Sequence, residues 1–97
     1  MINWSDSAKN IFNLVRALSK PYPGAFSYYN KVRVHIWKSE VLQDLNSDKF
    51  TIGSIVKYSK KNMFIVKCGK GLLKITEWSV NQDSSFEPRS GIQFRSY

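Results

Sequence analysis

Cysteine and histidine are almost missing from this sequence: Cys68 is its one cysteine and His35 its one histidine. A single cysteine excludes an intrachain disulfide and a Cys-cluster zinc site. A single histidine excludes a two-histidine metal site. A lone thiol fits a reducing compartment. Long apolar runs are missing as well, so no segment reads as a bilayer span. The opening Met1-Ile2-Asn3-Trp4-Ser5-Asp6 has neither the basic nor the apolar region of a secretion signal. Together these absences predict a soluble cytoplasmic protein with no membrane partner. Acidic residues are scarce too, 7 against 15 Lys plus Arg, for a net charge of +8. That balance favours an anionic partner and disfavours a binder of cations. What the chain does have is 97 residues, 42% of them apolar and 14% aromatic. This is enough for one domain with a modest core and too apolar for low-complexity disorder.

Catalytic material is correspondingly thin. His35 sits mid-strand between Arg33 and Trp37 with no carboxylate at a suggestive spacing, which reads as a surface or half-buried strand histidine. Cys68 ends an apolar run and reads as a buried, inert thiol. Gly69-Lys70-Gly71 lacks the long glycine-rich span and the following Ser/Thr of a phosphate loop, and a hairpin turn accounts for it. No carboxylates pair, so no catalytic residue is assigned and no metal is expected.

Periodicity gives the elements. Ser5 or Asp6 is expected to cap a helix whose apolar stripe is Ala8, Ile11, Leu14, Val15 and Leu18, with Lys9, Asn10, Asn13 and Arg16 mostly opposite. Trp4 is expected to staple against its first turn. The helix must stop before Pro21, and Pro21-Tyr22-Pro23-Gly24 follows as a rigid turn. Strands are expected at Ala25–Tyr29 and Val32–Val41 around an Asn30-Lys31 hairpin. Further strands are expected at Phe50–Tyr58 (interrupted by Gly53), Met63–Cys68 and Leu72–Trp78. A short closing strand is expected within Gly91–Tyr97. One helix and five or six short strands give an α+β, mainly β domain, and the turn spacing favours a small closed barrel or sandwich.

The charge is unevenly placed. From Lys49 to Thr76 there is no acidic residue, and the stretch carries Lys49, Lys57, Lys60, Lys61, Lys67, Lys70 and Lys74. On strands, Lys57, Lys67 and Lys74 are expected to share a face, with Lys60, Lys61 and Lys70 on neighbouring turns and Tyr58, Phe64 and Trp78 close by. With Arg33 of the second strand, these are the candidate contacts to an anionic substrate or nucleic acid. Small barrels bind nucleic-acid backbone through such faces. The competing reading is a solvated lysine face that keeps the sheet soluble. Lysine outnumbers arginine eleven to four, which suits point-charge phosphate contact better than bidentate base reading.

One series of motifs runs nearly the whole length. It begins with Ile2-Asn3-Trp4, Ser7-Ala8, Leu14-Val15-Arg16-Ala17 and Pro21-Tyr22-Pro23-Gly24-Ala25. It continues through Val34-His35-Ile36-Trp37-Lys38-Ser39-Glu40-Val41, Ile52-Gly53, Cys68-Gly69-Lys70-Gly71 and Leu72-Leu73-Lys74-Ile75. In order and spacing it resembles the C-terminal domain of 10-formyltetrahydrofolate-dependent formyltransferases, the family of methionyl-tRNA formyltransferase and the sugar-nucleotide N-formyltransferases. The resemblance implies a helix followed by an open barrel of the oligonucleotide/oligosaccharide-binding type. It also implies that catalysis and 10-formyltetrahydrofolate belong to a separate N-terminal catalytic domain that would be this chain's partner. Arg16, Pro21, Pro23, Gly24 and Trp37 carry over as structural or interdomain positions only. The implied role is an accessory domain that packs on the catalytic domain and helps hold an anionic substrate, tRNA or a nucleotide sugar. The turn Pro-Tyr-Pro-Gly-Ala-Phe-Ser looks closer to the sugar-nucleotide enzymes, and the ending Gly91–Tyr97 looks more like other formyltransferase relatives than like the tRNA enzymes. The alternatives are an autonomous small-barrel nucleic-acid-binding protein and a structural or dimerising domain without a ligand.

Overall fold

The computed structural model describes residues 1–19, 23–42, 49–59 and 62–95. Helix α1 (Ala8–Ala17) precedes strands β1 (Ala25–Tyr29), β2 (Val32–Leu42), β3 (Ile55–Tyr58), β4 (Phe64–Lys67) and β5 (Leu72–Ser79). The strands form one antiparallel sheet in the order β1-β2-β5-β4-β3. The sheet is open, as the resemblance implies, and not a closed barrel or a two-sheet sandwich.

The helix starts later than expected. Ser7, not Ser5 or Asp6, is the cap: its backbone is extended and its Oγ accepts from the Asn10 N–H at 3.1 Å. Asp6 instead accepts from the Ser7 N–H and the Asn10 side-chain amide, both at 2.9 Å. The Ala8 N–H is drawn to the Lys70 carbonyl at 2.8 Å, which anchors the first turn on the β4–β5 hairpin. Ala8, Ile11 and Val15 are buried, but Leu14 is 37% exposed. Each residue turns the helix by about 100°, which carries Leu14 to the rim of a stripe centred between Ile11 and Val15.

Trp4 also departs from expectation. It is fully buried, stacks on Phe94 at 5.6 Å, and donates its indole N–H to Ser27 Oγ at 2.9 Å. It therefore serves the sheet core rather than the helix start. Gly69 makes this entry possible. Its N–H donates to the Trp4 and Asp6 carbonyls, and a Cβ there would lie 1.8 Å from the Ser5 carbonyl oxygen.

Alternation along β2 breaks at Trp37–Lys38. Ile36 faces Trp78, Lys38 faces Glu77, and Ser39 faces Ile75. Without this bulge Lys38 and Glu40 would follow Val34 and Ile36 into the core, at the cost of burying two charges. With it, Ser39 turns inward and both charges stay outside. The Asn30-Lys31 hairpin forms as expected, with Asn30 at φ 54°, a conformation asparagine tolerates. The third strand is shorter than expected and begins after Gly53.

Residues 91–95 lie across the open side of the sheet. Ile55 N–H donates to Ile92 O, Phe94 N–H to Gly53 O, and Arg95 N–H to Tyr28 O, at 2.8–2.9 Å. Only isolated bridges result, to Ser54 and Tyr28, so the expected closing strand is a strap. Its Phe94 joins Phe64 and Phe86 in a core completed by Val34, Ile36, Ile55, Val66, Leu73 and Ile75. Among the described residues no helix is long and apolar enough to cross a membrane.

Candidate functional site

The register of β3, β4 and β5 decides which of the lysines meet. Lys57 faces Ile65, Ile65 faces Lys74, and Lys74 faces Glu40. These four form one row across the outer face, since directly opposed residues point the same way. Lys74 Nζ lies 3.9 Å from Glu40, and Lys57 makes no ion pair among the described residues. A cleft of about 240 Å³ opens here, lined by Lys57, Tyr58, Ser59, Met63, Phe64, Ile65 and Lys74. Tyr58 pairs with the buried Phe64 and so belongs to the opposite face from this row; the residue is 43% exposed, and the Arg89 guanidinium lies 5.6 Å from its ring centroid.

The other candidates fall elsewhere. Lys67 was expected on the same face with Lys57 and Lys74, yet it is only 6% exposed. The lead-in to β3 binds it on both sides: Gly53 N–H donates to its carbonyl at 2.8 Å, and its own N–H donates to Ser54 O at 3.0 Å. Lys70 is exposed on the β4–β5 turn. Arg33, on β2, lies over the Phe26 ring at 4.3 Å and donates to Tyr28 Oη at 3.0 and 2.7 Å. Lys60 and Lys61 lie outside the described residues. Arg89 was invisible to sequence reasoning, because it sits in the irregular stretch after β5 with no periodicity to orient it.

The motif residues gather at the opposite end of the sheet. Gly24 adopts φ +89°, and a Cβ there would meet the Trp37 ring at 2.6 Å. Trp37 packs on it and donates its indole N–H to Ser79 Oγ at 2.8 Å. Pro23 is exposed beside this turn, and Pro21 lies outside the described residues. Arg16 ends the helix over the Phe12 ring. Arg16, Val15, Ser19, Trp37 and Ser39 line a groove of about 610 Å³ between α1 and β2. Ser39 Oγ and His35 Nδ1 are buried side-chain atoms without a hydrogen-bond partner among the described residues. His35 stacks on Trp37 at 5.8 Å. The Cys68 thiol is buried and donates to Val66 O at 3.7 Å. Among the described residues no group of three His, Cys, Asp or Glu side chains comes together to hold a metal.

The matches to known proteins agree with the motif series. Residues 1–90 match the family model of the formyl transferase C-terminal domain. The bifunctional polymyxin resistance protein ArnA of Wigglesworthia glossinidia brevipalpis is 45% identical over 75 residues, 77% of this chain and 11% of that protein. The methionyl-tRNA formyltransferases of Acetivibrio thermocellus and Caldanaerobacter subterraneus are 43% and 38% identical over 84 residues, 87% of this chain and 25% of theirs. The chain therefore spans a quarter or less of the length of these curated relatives. Its helix, open sheet and glycine-bounded turns are those of the matched segment, and the chain belongs to the formyl transferase C-terminal domain family.

Proposed function

We propose that this chain is the accessory C-terminal domain of a cytoplasmic formyltransferase. It packs on a catalytic domain and helps to hold an anionic substrate such as tRNA or a nucleotide sugar. The observation that carries this reading is the family match over residues 1–90, together with relatives in which the matched segment is a quarter of the protein or less. The acid-free, lysine-bearing stretch from Lys49 to Thr76 supports the substrate-holding part. Lys57, Lys70 and Lys74 reach solvent there, and lysine ammonium groups serve as non-specific phosphate contacts.

The formyl donor, 10-formyltetrahydrofolate, would be held by the catalytic domain. Two unpartnered buried side-chain atoms, Ser39 Oγ and His35 Nδ1, are too few to match the hydrogen-bonding edge of a pterin ring. The residues described here do not fit that group, and no step of formyl transfer runs through them.

A domain exchange tests the reading. The matched C-terminal quarter of the Acetivibrio thermocellus methionyl-tRNA formyltransferase is replaced by this chain, and the hybrid is compared with the same enzyme ended before the match. The hybrid should show the higher kcat/KM, mainly through a lower KM for tRNA. Equal kcat/KM for the hybrid and the shortened enzyme would reject the accessory role. The isolated chain should bind tRNA with a Kd weaker than about 10⁻⁶ M that weakens steeply with salt.

A further inference from the structure

The outer face of the sheet changes character from one end to the other. Over β3, β4 and β5 it carries Lys57 and Lys74, and over β1 and β2 it carries Phe26, Tyr28, Arg33, His35 and Trp37. We propose that the β1–β2 end of this face is the surface that docks the catalytic domain. This deepens the accessory-domain reading above and rests on it.

Four observations carry the proposal. First, the register gathers these side chains on the side away from the core. Phe26 faces His35 and Tyr28 faces Arg33, and directly opposed residues point the same way. The residues alternating with them, Ala25, Ser27, Val34 and Ile36, are buried. Trp37 follows Ile36 and donates its indole N–H to Ser79 Oγ, and Ser79 faces His35. Second, the rings are contiguous. Phe26 lies 5.8 Å from Tyr28 and 6.1 Å from His35, and His35 lies 5.8 Å from Trp37. The four rings are half-buried and Arg33 is exposed. Cross-strand packing steadies a hairpin, but it leaves the outer surfaces of the rings in water, and a contiguous apolar patch of this kind marks an interaction site. Third, the composition is that of a protein interface. No lysine or carboxylate stands among the five, and lysine and glutamate are depleted in interfaces while tyrosine, tryptophan and arginine carry most of their binding energy. The Arg33 guanidinium lies 4.3 Å from the Phe26 centroid and donates to Tyr28 Oη. It holds both rings in place, so docking costs little further ordering. Fourth, the first residues run along the free edge of β1, where Ile2 N–H donates to Phe26 O at 2.8 Å. The matched family segment is C-terminal, so a catalytic domain joined ahead of it starts beside Phe26. Joining the two domains raises their effective concentration, and a patch of modest size then suffices.

The hybrid enzyme described above, which carries the whole chain, provides the test. Hydroxyl-radical footprinting read by mass spectrometry compares ring oxidation in the isolated chain and in the hybrid. Phe26, Tyr28 and Trp37 should oxidise at least about 3-fold more slowly in the hybrid, as rings in the fully buried core of an interface do. Tyr58, on the other face and at the far end of the sheet, should oxidise at the same rate in both. Phe26→Lys in the hybrid should return Tyr28 and Trp37 to their rates in the isolated chain, because it sets a lysine in the interface core. The urea midpoint of the isolated Phe26→Lys chain checks that the variant folds, and the native comparison stands without it.

Equal oxidation of the three rings in chain and hybrid, or protection confined to Tyr58, would overturn the proposal. So would slower oxidation of the rings in the isolated chain on raising its concentration or on adding tRNA, which would give the face to a second copy or to RNA. If the hybrid has a higher kcat/KM than the shortened enzyme while the rings stay unprotected, the face is wrong and the accessory reading survives. If kcat/KM is equal and the rings stay unprotected, both fall.

Discussion

Arg33 and Lys57 occupy outer faces at opposite ends of one sheet, and their charges have different fates. The Arg33 guanidinium lies on the Phe26 ring and donates twice to Tyr28 Oη, so its charge is spent within the β1–β2 hairpin. Lys57 has no such partner among the described residues, and beside it lie an exposed tyrosine and a cleft. The same contrast extends to their surroundings. Around β1 and β2 the distinctive residues are committed to structure: Trp4 to Ser27 and Phe94, Gly24 to Trp37, Trp37 to Ser79. Around β3, β4 and β5 the core is equally tight, but the outer row remains available. Net charge therefore says little about where a ligand goes. What matters is which cations the fold leaves without work.

Breaking the committed end should cost stability first. Trp4→Ala removes the largest fully buried side chain, its stacking on Phe94 and its bond to Ser27. A loss of about 3–5 kcal/mol is expected from a large-to-small change of this kind, read as a shifted midpoint in urea denaturation. A loss below about 1 kcal/mol would mean that the sheet core closes without Trp4. Gly24→Ala should come next, by about 1–3 kcal/mol, because the residue must hold φ +89° with its Cβ driven against the Trp37 ring. Its check is the indole signal of Trp37, which should change in fluorescence or near-ultraviolet circular dichroism.

Arg33→Gln sharpens the comparison more directly. It should cost about 0.5–1 kcal/mol in stability, through the lost contact with Phe26. It should leave the salt dependence of tRNA binding unchanged, since that charge is already used. Lys57→Gln should do the opposite: stability within about 0.5 kcal/mol, and a salt slope smaller by about 0.7–0.9. Equal effects of the two variants on the slope would erase the distinction between the two ends.

Much of this was legible in the residues. The helix stripe, the Asn30 hairpin, the Gly69-Lys70-Gly71 turn and the five strands follow from periodicity and turn chemistry. The formyltransferase C-terminal motif follows from the ordered series of glycine, proline and tryptophan positions. What escaped has a common cause, in that it depends on partners distant in the chain. Ser7 caps the helix because Lys70 anchors Ala8. Trp4 is buried because Gly69 lets its backbone approach and Phe94 meets it. Lys67 looked equivalent to Lys57 and Lys74 by alternation alone, yet it is 6% exposed. The tail at 91–95 read as a strand, yet it reaches two different edges and can follow neither for long. The cleft was half legible: Lys57, Lys74 and Tyr58 stood out, while Ser59, Met63 and Ile65 carried no signal.

The smallest expected effect comes from Ser39, and it tests how the β2 bulge is held. The bulge at Trp37–Lys38 turns Ser39 inward, where it is 9% exposed and its Oγ lacks a hydrogen-bond partner among the described residues. A buried hydroxyl left unsatisfied is a cost, so removing it is nearly neutral or favourable. Ser39→Ala should therefore change stability by no more than about 0.5 kcal/mol, with the sign toward greater stability. A loss above about 1 kcal/mol would show that the hydroxyl is engaged and that the groove against Arg16 and Trp37 is a polar contact in its own right. The committed end of the sheet would then hold a second functional surface. If the expected small gain is found, the bulge serves only to keep Lys38 and Glu40 out of the core, and Ser39 is there because a small residue fits beneath the helix.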